Sequence, residues 1–289
     1  MGVENFIPTI WTAKLLVRLR KAHIYGNVVN TDYEGEISAA GDTVKINEVG
    51  PITLNTHTRD GAITWATLEG AEKFLTIDQQ KDWNFMIDDC DAAQVKPKLI
   101  DGAMGEASYA AANASDRFIA GLYAGAGVTG SATYIGSSGS VLTQSSPTIL
   151  RTLSYIKRYL DESNCPSDGR WGIVPPWFAQ KLAYAIGAGG GGATGVPKVR
   201  EDGVLMNGWI GRVFGFDIMM SNNVATSGTT YMPMFGHRRA ISFVSQISKV
   251  EAFRLQDYYA DGVRGLYLYG AKVVQPDCLC TAYLAEGAA

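Results

Sequence analysis

Four aspartates, Asp82, Asp88, Asp89 and Asp91, form the densest group of side chains in the sequence that could do chemistry. Hard cations take oxygen ligands, so a converging set of carboxylates would hold a divalent metal and activate water for hydrolysis. The competing reading is electrostatic. These acids precede a helix expected to begin near Ala92 or Pro97, and negative charge is favoured at the positive end of a helix. Helix-end acids are routine, which makes the electrostatic reading the stronger of the two.

Other candidate chemistry is weaker. Gly125, Gly127 and Gly130 satisfy G-x-G-x-x-G, but they follow a helical pattern, whereas a dinucleotide site needs a strand before the glycines and a helix after them. The run Gly187 to Gly195 (GAGGGGATG) lacks the G-K-[ST] ending of a phosphate cradle and reads as a mobile loop. His23, His57 and His237 fall in separate regions without an H-x-x-x-H pair, and each is expected at a surface or interface. Cys278 and Cys280 have no second pair with which to build a zinc ribbon; buried strand thiols explain them better. No G-x-S-x-G occurs. The sequence therefore nominates no catalytic, cofactor-binding or metal-binding residue.

One charge pattern points to recognition. Lys14, Arg18 and Lys21 lie along one side of an expected helix from Ile10 to Ala22, while Trp11, Leu15, Leu19 and Ala22 form an apolar stripe on another. The acidic link that follows carries Asp32, Glu34 and Glu36. The basic stripe could meet that link in another copy of the chain, with Arg59 as a further contact residue in a polar tip; an ordinary solvated helix face is the alternative.

Composition limits the class of protein. The chain has 289 residues, 46% of them hydrophobic, enough for a full core. A formal charge of -3 offers no global attraction to nucleic acid, which argues against DNA wrapping. No segment approaches the roughly 20 apolar residues that cross a bilayer, and no signal peptide opens the chain, so a soluble protein made inside the cell is expected. Four cysteines, Cys90, Cys165, Cys278 and Cys280, are too few and scattered to staple it and read as reduced thiols.

The elements follow from periodicity. Strand alternation is expected in Thr43 to Val49, Ile52 to Asn55, Ile63 to Leu68 and Phe74 to Asp78, with the polar segment Asn55 to Asp60 as the tip of a long hairpin. From Pro97 to Ala124, Ile100, Ala103, Met104, Ala107, Ala111, Ala114, Phe118 and Leu122 recur at helical spacing, with Asp101, Glu106, Asp116 and Arg117 off that stripe. This predicts a long helix lying flat on strands. A second helix is expected from Pro147 to Leu160, capped by Ser146, then a strand at Arg170 to Val174 and a helix at Pro176 to Ala185. Alternation returns in Phe216 to Met220, Ala240 to Ser245, Lys249 to Leu255 and Val263 to Val274. The fold class is α+β.

The block NFIPTIWTAKLLVRLRKAHIYGNVVNTDYEGEISAAGDTVKINEVG, the alanine-rich helix, NGWIGRVFGFDIMMSNN, GHRRAISFVSQISKVEAFR and DGVRGLYLYGAKVVQPD together resemble the major capsid protein family of tailed phages. The resemblance implies an N-terminal arm at 1–33 and an extended β-hairpin loop at 34–74. It also implies a peripheral domain at 75–126 plus 236–289, with a spine helix on an antiparallel sheet, and an axial domain at 127–235. It implies further a coat protein assembling as pentamers and hexamers into an icosahedral shell around double-stranded DNA, without sequence-specific binding or membrane contact. The protein would be made and assembled in the host cytoplasm and end in the virion. No charged helical extension precedes the arm, so the expected partners are a separate scaffolding protein and a portal. An encapsulin-type compartment shares the fold and is the nearest alternative; a metal-dependent hydrolase using Asp82, Asp88, Asp89 and Asp91 is the remote one.

Overall fold

Alternating side chains decide the first ribbon. In a computed structural model, which describes residues 23–33, 43–49, 70–88, 98–128, 130–187, 209–256 and 258–287, β1 (Thr43–Val49) pairs antiparallel with β2 (Gly70–Thr76). Ile46, Leu75 and Ile77 are buried together with Val244, Leu268 and Val274, while the opposite face leaves Phe74 exposed. The expected strand at Phe74 to Asp78 therefore starts earlier and stops at Thr76. The expected strands and tip between residues 50 and 69 lie outside the described residues.

A strand that the sequence reading did not assign comes next. β3 (Gln79–Asp88) joins β11 (Ile241–Arg254) and β12 (Ala260–Val273) in an antiparallel sheet of order β11-β12-β3. Its signal is the alternation Trp83, Phe85, Ile87 against Asp82, Asn84, Met86. Successive side chains of a strand point to opposite faces, so Val263, Gly265, Tyr267 and Tyr269 share one face. There Met104 packs with Val250 and Val263, and Phe118 meets the Tyr269 ring edge-on at 5.5 Å. Gly265 is needed because a Cβ would lie 2.3 Å from the Trp83 ring.

The helix covering that face is α2 (Lys98–Gly121), which follows the short α1 (Tyr25–Val28) and tightens into a 3₁₀ turn at Leu122–Gly125. Its buried positions are Met104, Ser108, Ala111, Ala112, Ser115, Asp116, Ile119 and Ala120. Ala103, Ala107, Ala114, Phe118 and Leu122, expected at the centre of the stripe, are half-buried. Asp116, expected off the stripe, is only 2% exposed. The buried face is rotated from the apolar stripe because it also carries a polar anchor.

The largest core forms elsewhere. A five-stranded sheet runs β13 (Leu279–Thr281), β10 (Met234–His237), β5 (Arg170–Val174), β7 (Phe216–Met220), β6 (Trp209–Val213), with β5 and β7 parallel. Ile149, Leu153, Ile156 and Leu160 of α4 (Ser146–Glu162) and Phe178 and Leu182 of α5 (Pro176–Gly187) pack in this core with Phe216, Ile218 and Phe235. The cap of α4 is Ser145, one residue before the expected Ser146, and its backbone N–H donates to Thr148 Oγ1 at 2.9 Å. The short α3 (Ala132–Ile135) leads into a four-stranded sheet of β4 (Leu142–Gln144), β14 (Leu284–Glu286), β9 (Thr230–Met232) and β8 (Ala225–Ser227). The closing strands β13 and β14, in the stretch that the resemblance gives to the peripheral unit, thus pair with strands of the 127–235 stretch.

Candidate functional site

The aspartate group does not build a metal centre from the residues seen. Asp82 and Asp88 both lie on β3, opposite Leu266 and Ala260 of β12. Six strand positions at about 3.3 Å each separate them by about 20 Å, too far to share one cation. Both aspartates also belong to a strand rather than to the turn before a helix, so the helix-end reading fails for them as well. Asp89 and Asp91 lie outside the described residues. Among the described residues no three His, Cys, Asp or Glu side chains are grouped to hold a metal ion.

The histidines divide differently from expectation. His23 is not a surface residue: it is 7% exposed, and its Nδ1 lies 3.2 Å from Asp116 Oδ1. Asp116 Oδ2 accepts from the Ile24 N–H at 3.1 Å, and Ser115 Oγ lies 3.4 Å from both ring nitrogens. Ser, His and Asp are the residue types of nucleophilic hydrolysis, but their geometry here is a clasp. Ser115 is fully buried and its hydroxyl donates back to the Ala112 carbonyl at 2.9 Å, so its oxygen is closed to a substrate and its proton is already committed. His237 is half-buried at the end of β10, where Nδ1 accepts from the Arg239 N–H at 3.2 Å. Burial first, and then the nearby Arg239 charge, hold its imidazole below the ordinary range. His57 lies outside the described residues.

The glycine and cysteine motifs are packing features. A Cβ on Gly127 would lie 2.7 to 2.9 Å from Pro276, and the Gly127 N–H donates to the Pro276 carbonyl at 2.9 Å. The G-x-G-x-x-G segment is therefore a close crossing of two chain segments. Cys165, Cys278 and Cys280 are buried free thiols; Cys280 lies on β13 as expected, but Cys278 lies in the 3₁₀ turn Pro276–Cys278. Burial pushes the Cys280 thiol up to about 12, and burial followed by the neighbouring Cys278 does the same for Cys165. Such thiols stay protonated and unreactive near neutral pH. Cys90 and residues 188–195 of the glycine run lie outside the described residues.

Two concave surfaces remain. The first, of about 690 Å³, lies where the arm root, the five-stranded sheet and the start of β11 meet, and Asp32, Trp171, His237 and Arg239 are among its lining residues. Of the expected contact residues, Asp32 is exposed on this rim, whereas Lys14, Arg18, Lys21, Glu34, Glu36 and Arg59 lie outside the described residues. The second, of about 640 Å³, lies on the sheet face opposite α2 and is bordered by Met86, Phe253 and Leu266. Across it Arg264 donates to Glu251 at 2.6 and 2.9 Å, with its guanidinium 4.9 Å from the Phe253 ring centre.

A long helix laid on a long antiparallel sheet, joined to a second α/β core and to a two-stranded ribbon, is the architecture of a shell protein of the tailed-phage major capsid fold. The chain belongs to the phage capsid protein family, whose model matches residues 82–282. It is similar to a solved structure from Mycobacterium phage Che8, at 27% identity and TM-score 0.67 over 90% of each chain. The capsid of Cyanophage P-SCSP1u shares the fold at 19% identity and TM-score 0.66, over 92% of this chain and 89% of that one. A virus-like particle from Pyrococcus furiosus does so at 10% identity and TM-score 0.53, over 94% and 97%. No curated protein sequence matches the chain.

Proposed function

We propose that this chain is the major coat protein of a tailed phage, closing with identical copies into an icosahedral head shell around double-stranded DNA. The observation that carries the reading is the family match, which runs from β3 through β13 and so spans both cores. The chain works by assembly rather than catalysis. The separation of Asp82 from Asp88 and the clasp geometry at His23 support that view.

The arm at 1–33 and the loop at 34–74 reach neighbouring copies, the α2 helix with its sheet forms the peripheral unit, and 127–235 forms the axial unit. Pentamers and hexamers use the same chain with altered angles between units rather than altered folds. The basic stripe Lys14, Arg18 and Lys21 pairs with Asp32, Glu34 and Glu36 of an adjacent copy, and Arg59 adds a contact. A separate scaffolding protein and a portal guide closure in the host cytoplasm.

An encapsulin-type shell shares the fold, as the Pyrococcus furiosus particle illustrates, but the family matched is that of phage capsids. Particles purified from infected cells separate the two readings. Nuclease-resistant double-stranded DNA inside them supports the head shell, and a protein cargo without DNA overturns it. Reversing Lys14 and Arg18 to Glu should cut particle yield and salt tolerance, whereas unchanged yield removes the stripe from the interface.

A further inference from the structure

We infer that Cys165 and Cys278 are a site of oxidative modification, closing into an intramolecular disulfide after the shell leaves the cell. The inference rests on the shell-forming reading above, which carries the chain from a reducing cytoplasm into an oxidising medium. Cys165 follows α4, and its N–H donates to the Leu160 carbonyl at 3.1 Å. The buried Arg170 of β5 fixes that turn: it donates to the Cys165 and Pro166 carbonyls at 2.6 and 2.8 Å and pairs with Asp161 at 2.7 Å. Cys278 ends the 3₁₀ turn before β13, where a Cβ on Gly236 of β10 would lie 2.7 Å from its carbonyl oxygen. β10 holds the two turns side by side, since His237 pairs with Arg170 and Gly236 with Leu279.

The two thiols meet at that end of the sheet. They lie in the same buried core, within hydrogen-bonding reach of one another. Their other contacts are weak: Cys165 Sγ donates to the Pro166 carbonyl at 3.6 Å and Cys278 Sγ to Gln275 Oε1 at 3.9 Å. A peroxide is small enough to reach them where a bulkier reagent is not. Burial keeps Cys165 protonated, so the attacking thiolate is that of Cys278. It takes one oxygen from hydrogen peroxide and becomes a sulfenic acid, and the hydroxide released is neutralised by the proton that Cys278 gave up. Cys165 Sγ then attacks the Cys278 sulfur, and its proton leaves with the sulfenic oxygen as water. Two thiols lose two electrons in all, and one peroxide becomes two waters. The bond ties the end of α4 to the turn before β13 and closes everything from β5 to β12 into one loop, which restricts the unfolded chain.

Peptide mapping tests the bond. The full chain, free and in particles, is treated with hydrogen peroxide, cleared of it with catalase, unfolded in iodoacetamide and digested. A peptide pair joined through positions 165 and 278, two hydrogens lighter than the separate thiol peptides and split by dithiothreitol, is expected from both samples, with Cys280 alkylated. The oxidised free chain should melt about 5 °C or more above the reduced one, and Cys278→Ala should abolish both the pair and the shift. Recovery of both residues as alkylated thiols, or of Cys278 as a sulfinic acid with Cys165 unlinked, overturns the inference and leaves the shell reading intact. A link from either residue to Cys90 or Cys280, or between two chains, overturns it equally. Particles acid-quenched inside infected cells should carry both thiols free, and a bond already present there contradicts a modification made after release. If the chain forms no particles at all, the shell reading falls, while the free-chain sample still decides whether the pair closes.

Discussion

His23 and Asp116, ninety-three positions apart, meet at 3.2 Å in a buried side-chain contact that fastens the residues before α1 to the long helix. Asp116 also accepts the Ile24 N–H, so one carboxylate satisfies a side chain and a backbone donor at once.

Asp116→Ala removes one partner of a buried pair and leaves the other without compensation. Urea unfolding of the unassembled chain should show a loss of about 1 to 3 kcal/mol, the cost of leaving buried hydrogen-bonding groups unmatched. A loss below about 1 kcal/mol would mean that the clasp holds nothing.

Two glycine-to-alanine changes should have opposite signs. Gly270 sits where β12 passes under β2, and a Cβ would lie 2.4 Å from the Thr76 carbonyl oxygen, so Gly270→Ala must push two backbones apart. A cost of about 1 to 3 kcal/mol is expected, with faster hydrogen exchange in β2. Gly102, inside α2, has open space around it, so Gly102→Ala should raise stability by about 0.5 to 1 kcal/mol. Equal effects from the two would contradict the close crossing.

The pH dependence of His237 follows from its depressed imidazole. The unfolded chain takes up the proton near pH 6.5 and the folded chain only at lower pH. The unfolded state thus binds more protons between those values, and stability falls as pH drops through that window. His237→Gln should flatten the thermal midpoint between about pH 7 and pH 5 relative to the parent. Parallel profiles would show that the site does not couple to folding.

Cys280 and Cys165 should resist iodoacetamide in the native state at about pH 8 and react only on unfolding, since their thiolates are disfavoured by burial. Peptide mapping with and without urea gives the answer. Full native labelling of Cys280 would place β13 at an open surface.

Much of this architecture is legible in the sequence because it rests on local periodicity. The spine helix, β1, β5, β7 and β12 announce themselves by spacing alone, whereas the segments expected at Ala240 to Ser245 and Lys249 to Leu255 are one strand, β11, whose register shifts between Ile247 and Lys249. β3 did not, because its acids drew the reading toward a helix end while Trp83 and Phe85 alternated beneath them. The burial of Asp116 was hidden for another reason: a charged residue is placed outside until its partner is known, and His23 is remote in sequence. The parallel pairings of β5 with β7 and of β4 with β14 depend on tertiary packing. Spacing within one segment carries no register between segments.

The most direct test of the central claim is cryo-electron microscopy of the purified chain, alone and with its scaffolding protein. Closed icosahedral shells, with this fold repeated in five- and six-fold clusters, are the predicted result. A chain that stays monomeric under every assembly condition, with its β1–β2 ribbon and outer sheet face stable in solvent, would contradict it.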